Sequence, residues 1–168
     1  MARRLAGVAV LLAVAAASCV TGTRGGKDVS APPGGVLLRF DTATVAAEVV
    51  ASSESRARGL MNRKRLAADA GMLFLFPAPS EGGFWMWHTL IPLSIAYLRW
   101  DERSFEVVSI KDMTPCGTSR TQCRRASAAY SPETFYDAAL EVNEGWFEEH
   151  GVSVGDVAQA EGELKTPS

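Results

Sequence analysis

From Val36 onward, apolar and polar positions follow one another in short runs broken by turn residues, the pattern of a domain built from strands. VLLRF at 36–40 and TVAAEVVA at 44–51 alternate or run apolar at strand length. Asp41 and Thr42 separate them as turn residues, so the pair predicts a hairpin. The period then changes. In SESRARGLMNR, Ala57, Leu60 and Met61 fall at helical spacing while Arg56, Arg58 and Arg63 fall elsewhere, with Ser53 placed as the N-cap. Gly59 costs about 1 kcal/mol of helix propensity relative to alanine, which predicts a short helix or a close backbone contact there. GMLFLF, FWMWH, LSIAYLRW and FEVVSI predict further strands, punctuated by PAPSEGG and DERS. After the cysteine-bearing loop, YDAALEVN reads as a strand, NEGWFEEHG as a short helix or turn, and VAQAE as a last strand. The fold class expected is mainly β, an antiparallel sandwich or barrel-like domain with one or two short helices.

The first stretch differs. Arg3 and Arg4 precede an apolar run from Leu5 to Ala17, too short to span a bilayer comfortably and shaped like a secretory signal, so residues 1–18 are expected to be a signal peptide. Ala16, Ala17, Ser18 and Cys19 resemble the lipobox of bacterial lipoproteins, in which the cysteine receives a lipid. The usual leucine of that motif is Ala16 here, which leaves ordinary cleavage near Ala17 as the alternative. Acylated Cys19 would hold the protein at a membrane surface, in the periplasm or cell envelope, as an anchor rather than a span. Residues 19–35, rich in Gly, Pro, Thr and Ser, carry too few apolar groups to join a core. They are expected to be a flexible tether reaching on the order of 20 Å. A single domain over 36–160 and a disordered tail over 161–168 complete the expected organisation.

Composition adds constraints. The 168 residues are 47% hydrophobic and 21% charged, consistent with one globular domain plus extensions. Losing Arg3 and Arg4 leaves 15 basic against 19 acidic residues, a net charge of −4, and nothing in that balance asks for nucleic acid. With Cys19 assigned to lipid, Cys116 and Cys123 remain, and in an oxidising compartment they are expected to form a disulfide. The rival reading, two metal-binding thiolates, lacks further ligands at zinc spacing. No phosphate loop, dinucleotide fingerprint or metal-spaced histidine cluster is present, so no cofactor is expected.

The densest candidate chemistry is GFWMWHTLIP at 83–92. Strand alternation would put Trp85, Trp87 and Thr89 on one face and Phe84, Met86 and His88 on the other. Either the segment is a central strand buried on both sides with His88 hydrogen-bonded inside, or one aromatic face opens into a cleft. In the second case the indoles stack on a ligand and His88 and Thr89 orient it. GVSVG at 151–155 matches a nucleophile elbow at Ser153, but both His88 and His150 precede the serine, and Gly155 and Asp156 announce a turn into a strand, not a helix. Arg56, Arg58, Arg63, Lys64 and Arg65 read as a solvated helix face or, on a tethered protein, as a surface leaning on anionic headgroups. Arg120, Arg124 and Arg125 in the cysteine loop would extend such a patch. Glu141, Asp156 and Asp112 would serve as paired carboxylates only if the fold assembled them. Their ordinary reading is a strand-edge charge for Glu141 and a turn residue for Asp156.

GLMNR at 59–63, GMLFLF at 71–76, FWMWHTLIPLSIAYL at 84–98, MTPC at 113–116, ALEVNEGWF at 139–147 and HGVSVGD at 150–156 together make the chain similar to domain-of-unknown-function family 192 over roughly Val36 to Ala160. The resemblance implies a small exported or membrane-associated prokaryotic domain of mainly β, sandwich-like fold, and brings no established reaction. Where members of that family usually have Lys-Asn-Thr after Trp-Met, this chain has Trp87, His88 and Thr89, and the usual Asp after Ile-Pro-Leu is Ser94. A binding role survives loss of those charged groups better than catalysis. The expected function is therefore non-catalytic binding of a small molecule, glycan or protein partner through Trp85, Trp87, His88 and Thr89. The alternatives are a hydrolase of envelope material pairing His88 with a carboxylate, and a purely structural envelope protein.

Overall fold

The computed structural model describes residues 29–168; the expected signal segment, Cys19 and most of the expected tether lie outside them. Seven strands, β1 (Gly35–Arg39), β2 (Thr44–Val50), β3 (Ala70–Ser80), β4 (Leu93–Asp101), β5 (Ser104–Met113), β6 (Tyr136–Asn143) and β7 (Val157–Gly162), close into a barrel in the order β1-β2-β3-β6-β4-β5-β7. β7 pairs back onto β1. Three short helices decorate it: α1 (Ser53–Arg58), α2 (Arg120–Ala126) and α3 (Trp146–Glu149), with a 3₁₀ turn at Ser127–Tyr130. The described pairings are antiparallel except β2 with β3, which run parallel. A parallel pair needs a crossover, and α1 lies in it.

Alternation decides what the barrel encloses. Val36 and Leu38, Val45, Ala47 and Val49, Leu73 and Leu75, Ala96 and Leu98, Phe105 and Val107, Leu140 and Val142 pack into one cluster, joined by Trp146 and Phe147 of α3. The intervening residues of β3, β6 and β4 point the other way. There Met72, Phe74, Ala139, Leu93, Ile95 and Tyr97 form a second cluster, covered by Leu60 and Met86 from outside the barrel. Strands buried on both faces must read as continuous apolar runs, which is why MLFLF and LSIAYL do not alternate.

The helix at 53–58 forms as its sequence predicts, but its cap is Ser52, one residue earlier than expected. Ser52 and Ser55 close a reciprocal capping box, and Gly59 terminates the helix at φ 46°, a left-handed conformation suited to glycine. A Cβ on Gly59 would also meet Phe74 Cζ at 3.3 Å, so the close backbone contact expected there is present.

Three expectations need correction. FWMWH is not a strand: residues 81–92 form a loop, because both edges of β4 are already taken by β5 and β6 and a closed barrel has no free edge to pair. PAPSEGG is not wholly a turn, since β3 continues to Ser80 across an irregularity after Leu75 that accommodates its prolines. Residues 161–168 are not a free tail. Glu161 and Gly162 complete β7, the Lys165 ammonium donates to the Val49 carbonyl at 2.9 Å, and the Ser168 N–H donates to the Ala51 carbonyl at 2.9 Å.

Candidate functional site

The loop 81–92 lies across the outer face of β3, β6 and β4 and alternates without being a strand. Phe84 and Met86 turn inward. The Phe84 ring stands edge-on to Phe74 at 5.0 Å and to Tyr97 at 5.9 Å, and Met86 is buried in the second cluster. Trp85 and Trp87 turn outward and stay half-buried. Hydrogen bonds pin the backbone between these anchors. The Tyr136 hydroxyl donates to the Gly82 carbonyl at 2.6 Å, the Phe84 N–H to the Tyr97 hydroxyl at 3.3 Å, and the Asn62 N–H to the His88 carbonyl at 2.8 Å. Gly83 sits so close to the 3₁₀ turn that a Cβ would lie 2.4 Å from the Ser127 carbonyl oxygen.

Alternation inverts at His88, whose φ of 55° is left-handed. That flip leaves the His88 ring outside, 4.4 Å from the Trp87 ring, and turns Thr89 inward, where it is buried. The expected face-sharing of Trp85, Trp87 and Thr89 is thus wrong for Thr89, and His88 is half-buried rather than enclosed in core. The backbone explains the residue type: after glycine, Asn, Asp and His tolerate this conformation best, and the resemblance places Asn at this position.

Outside, Trp85 and Trp87 lie 5.3 Å apart with their planes at 37°. The cysteine loop closes over them. Cys116 and Cys123 are disulfide-bonded, with Cα atoms 5.2 Å apart, and Cys123 is fully buried in α2. That loop presents the Thr118 carbonyl to the Trp87 indole N–H at 3.3 Å and sets the Arg120 guanidinium over both indoles, 5.5 Å from Trp85 and 5.2 Å from Trp87. Such cation–π contacts at exposed sites contribute about 0.5–1 kcal/mol, weak enough for a ligand to displace. A surface depression of ≈ 300 Å³ lined by Arg120, Thr121 and Arg124 adjoins them. α2 was not anticipated from the sequence, since SRTQCRR has no apolar period.

Inside, the decisive residue is Glu141. Its register partners are Met72 on β3 and Ile95 on β4, so its side chain stands on the face that the aromatic loop covers. It is 5% exposed, and burial alone pushes its carboxyl up to about 8. It lines a small recess of ≈ 30 Å³ together with Phe74, Phe84, Trp85, Thr89 and the turn after α1. Expected as a strand-edge charge, Glu141 is instead a buried acid on a central strand. A glutamate inside the apolar run AALEV was the available signal.

The remaining candidates are engaged elsewhere. Asp112 accepts a hydrogen bond from the Ser94 hydroxyl, which itself accepts the Gly145 N–H at 2.8 Å. Asp156 accepts the Ser153 N–H at 2.8 Å within an exposed turn that leads into β7, so no helix follows Ser153 and the elbow pattern has no elbow. Within the basic run, Arg63 forms a two-pronged pair with Glu48 at 2.5 and 2.6 Å, whose hydrogen bonds hold the Glu48 carboxyl below its ordinary value. Arg58 pairs with Glu54, and Arg56 donates to the carbonyls of Ala51, Leu75 and Ser168. Arg56 and Arg63 brace the fold, whereas the Arg58 pair is exposed and lies within α1. Among the described residues, no group of three or more His, Cys, Asp or Glu is placed to hold a metal ion.

The family model DUF192, described as Uncharacterized ACR, matches residues 36–160. No curated protein matches the chain. Among solved structures it is similar to a crystal structure named as a candidate transcription regulator from Sinorhizobium meliloti 1021, at 26% identity and a TM-score of 0.55, covering 74% of this chain and 91% of that one. It is also similar to a protein of unknown function from Novosphingobium aromaticivorans DSM 12444, at 29% identity and a TM-score of 0.54, covering 76% and 84%.

Proposed function

The chain belongs to the DUF192 family, and from that premise we propose a non-catalytic recognition domain, held at an extracytoplasmic membrane surface through acylated Cys19, that binds envelope glycan. The observation that carries this reading is the half-buried indole pair of Trp85 and Trp87, held by Phe84 and Met86 beneath and by the disulfide-closed loop beside. A sugar ring's apolar face packs on an indole, while the donors of Arg120 and the His88 imidazole at the margin meet hydroxyls. Rigid aromatic anchors lose little conformational entropy on binding, and Trp87 is already held by its bond to Thr118.

A hydrolase would need a second catalytic group beside Glu141. Among the described residues, Glu141 is the one carboxyl lining its recess; Asp112 and Asp156 are occupied elsewhere, and the His88 ring packs on Trp87 outside. The arrangement therefore favours binding. The test is a screen of soluble envelope glycan fragments against the protein, Trp87→Ala and His88→Ala. Binding that weakens at least about tenfold in Trp87→Ala is expected, the loss of one buried aromatic anchor. Equal binding by all three proteins would discard the indole surface.

A further inference from the structure

We propose that the recess floored by Glu141 is a binding site for a primary ammonium group, the tip of an amine-bearing ligand whose remainder lies over Trp85 and Trp87. This rests on the indole surface being the recognition face, and it names the group that face selects.

No described residue donates a hydrogen bond to Glu141 or pairs with it, although it is 5% exposed. Every fully sealed side-chain nitrogen and oxygen among the described residues has a partner. The Glu141 oxygens have none, so they open onto the recess. An acid left in this state costs stability, and native folds keep such groups where a ligand satisfies them. The size of the recess, ≈ 30 Å³, admits one first-row group and excludes a sugar ring. Its walls include the aromatic rings of Phe74, Phe84 and Trp85, with the Thr89 side chain beside them. Aromatic faces and a single carboxylate together suit a cation that also donates hydrogen bonds. A methyl group would fit but leave the carboxyl unpaired. A divalent metal would find one carboxylate and too few further oxygen ligands.

The charged neighbours do not fill this role. Arg56 and Arg58 of α1 also line the recess, but the Arg56 guanidinium is bound to three backbone carbonyls and lies over the Phe76 ring, and the Arg58 guanidinium is drawn to Glu54 in an exposed pair. From β4 the Tyr97 phenol, which burial keeps protonated, hydrogen-bonds to the Tyr130 carbonyl. From the loop, Phe84, Trp85 and Thr89 line the recess, and none of them carries a charge. The pair forms with an ionised carboxylate, so binding to the protonated free protein releases a proton and the affinity rises as pH climbs toward about 8.

The probe is n-butylammonium, with 1-butanol as its uncharged counterpart, followed by amide and indole chemical shifts of the protein, Glu141→Gln and Trp87→Ala. Saturable shifts at Trp85 and Thr89 are expected with butylammonium, weakened at least about tenfold in Glu141→Gln and largely absent with butanol. Glu141→Leu, an apolar filling of the same site, guards against a folding artefact and should lose the response equally. Trp87→Ala, which leaves the recess intact and removes a contact only from the ligand's remainder, should weaken butylammonium binding less than Glu141→Gln does. Its loss of glycan binding reports on the indole surface separately. Equal shifts in Glu141→Gln, equal affinity for butanol, or no saturable response at pH 8.5, leaving water as the recess's only occupant, would each overturn the proposal.

Discussion

Replacing Glu141 by Gln removes one ionisable proton from the second core while keeping the side chain's shape, and its effect on stability must depend on pH. In the folded protein burial pushes the carboxyl from 4.5 to about 8. Between these values the folded chain holds a proton that the unfolded chain has released, so stability declines as pH rises. The contribution is whole below about 4.5 and spent above about 8. At 1.36 kcal/mol per unit the full shift corresponds to roughly 5 kcal/mol, of which about 4 falls between pH 5 and 8.5. Relaxation of the aromatic loop and entry of water into the recess soften this, so a loss of about 2–4 kcal/mol is expected for the unsubstituted protein. Glu141→Gln has no proton to lose. At pH 5 it should lie within about 1 kcal/mol of the parent, both burying a neutral polar group without a protein partner.

Urea unfolding followed by tryptophan fluorescence at pH 5, 6, 7, 8 and 8.5 measures both proteins. The difference between them isolates position 141, because every other titration is common to the two. Glu141→Gln should be the more stable at pH 8.5, with a melting temperature higher by roughly 10 °C for a domain of this size. Two stability curves that run parallel across the whole range would show that Glu141 is ionised in the folded state. The acid would then have a partner or a path to solvent, and the account of the recess would fail.

Gly83→Ala puts a Cβ 2.4 Å from the Ser127 carbonyl oxygen, backbone against backbone, so the loop must shift; a loss of about 1–3 kcal/mol, with altered Trp85 and Trp87 fluorescence, is expected. Removing the disulfide as Cys116→Ser with Cys123→Ser should cost about 2.5 kcal/mol for so short a loop. It should also raise solvent quenching of Trp87 by freeing Thr118 and Arg120. His88→Gly should be neutral or stabilising because of its φ of 55°, whereas His88→Val should lose about 1–2 kcal/mol in chemical denaturation.

Most of the barrel was legible because its strands announce themselves individually. β1 and β2 alternate around Val36, Leu38, Val45, Ala47 and Val49, and YDAALEVN coincides with β6. What sequence could not supply was which strand lies beside which. The segment 84–88 carries a genuine two-residue alternation, Phe84 and Met86 in, Trp85 and Trp87 out, produced here by a loop laid over a sheet. Local pattern is identical in the two cases; the difference is that β4 already has β5 and β6 as neighbours. The parallel pairing of β2 with β3 was hidden for the same reason.

Glu141 and the aromatic loop are consequences of one topological fact. Placing β6 between β3 and β4 puts Met72, Glu141 and Ile95 side by side on the barrel's outer face, and that face is too apolar to meet water. The chain must cover it, and it does so with buried Met86, whose burial contributes about 1.5–3 kcal/mol, and with partly buried Phe84. Anchoring those two forces their neighbours Trp85 and Trp87 outward, and the cover closes over an acid that strand geometry fixed in place. Exposed indoles and buried carboxyl are therefore not separate features. Loosening the cover by Met86→Ala should expose Glu141, pull its carboxyl back toward the ordinary carboxylate range and flatten the pH dependence predicted above, coupling the two faces of the same loop in one measurement.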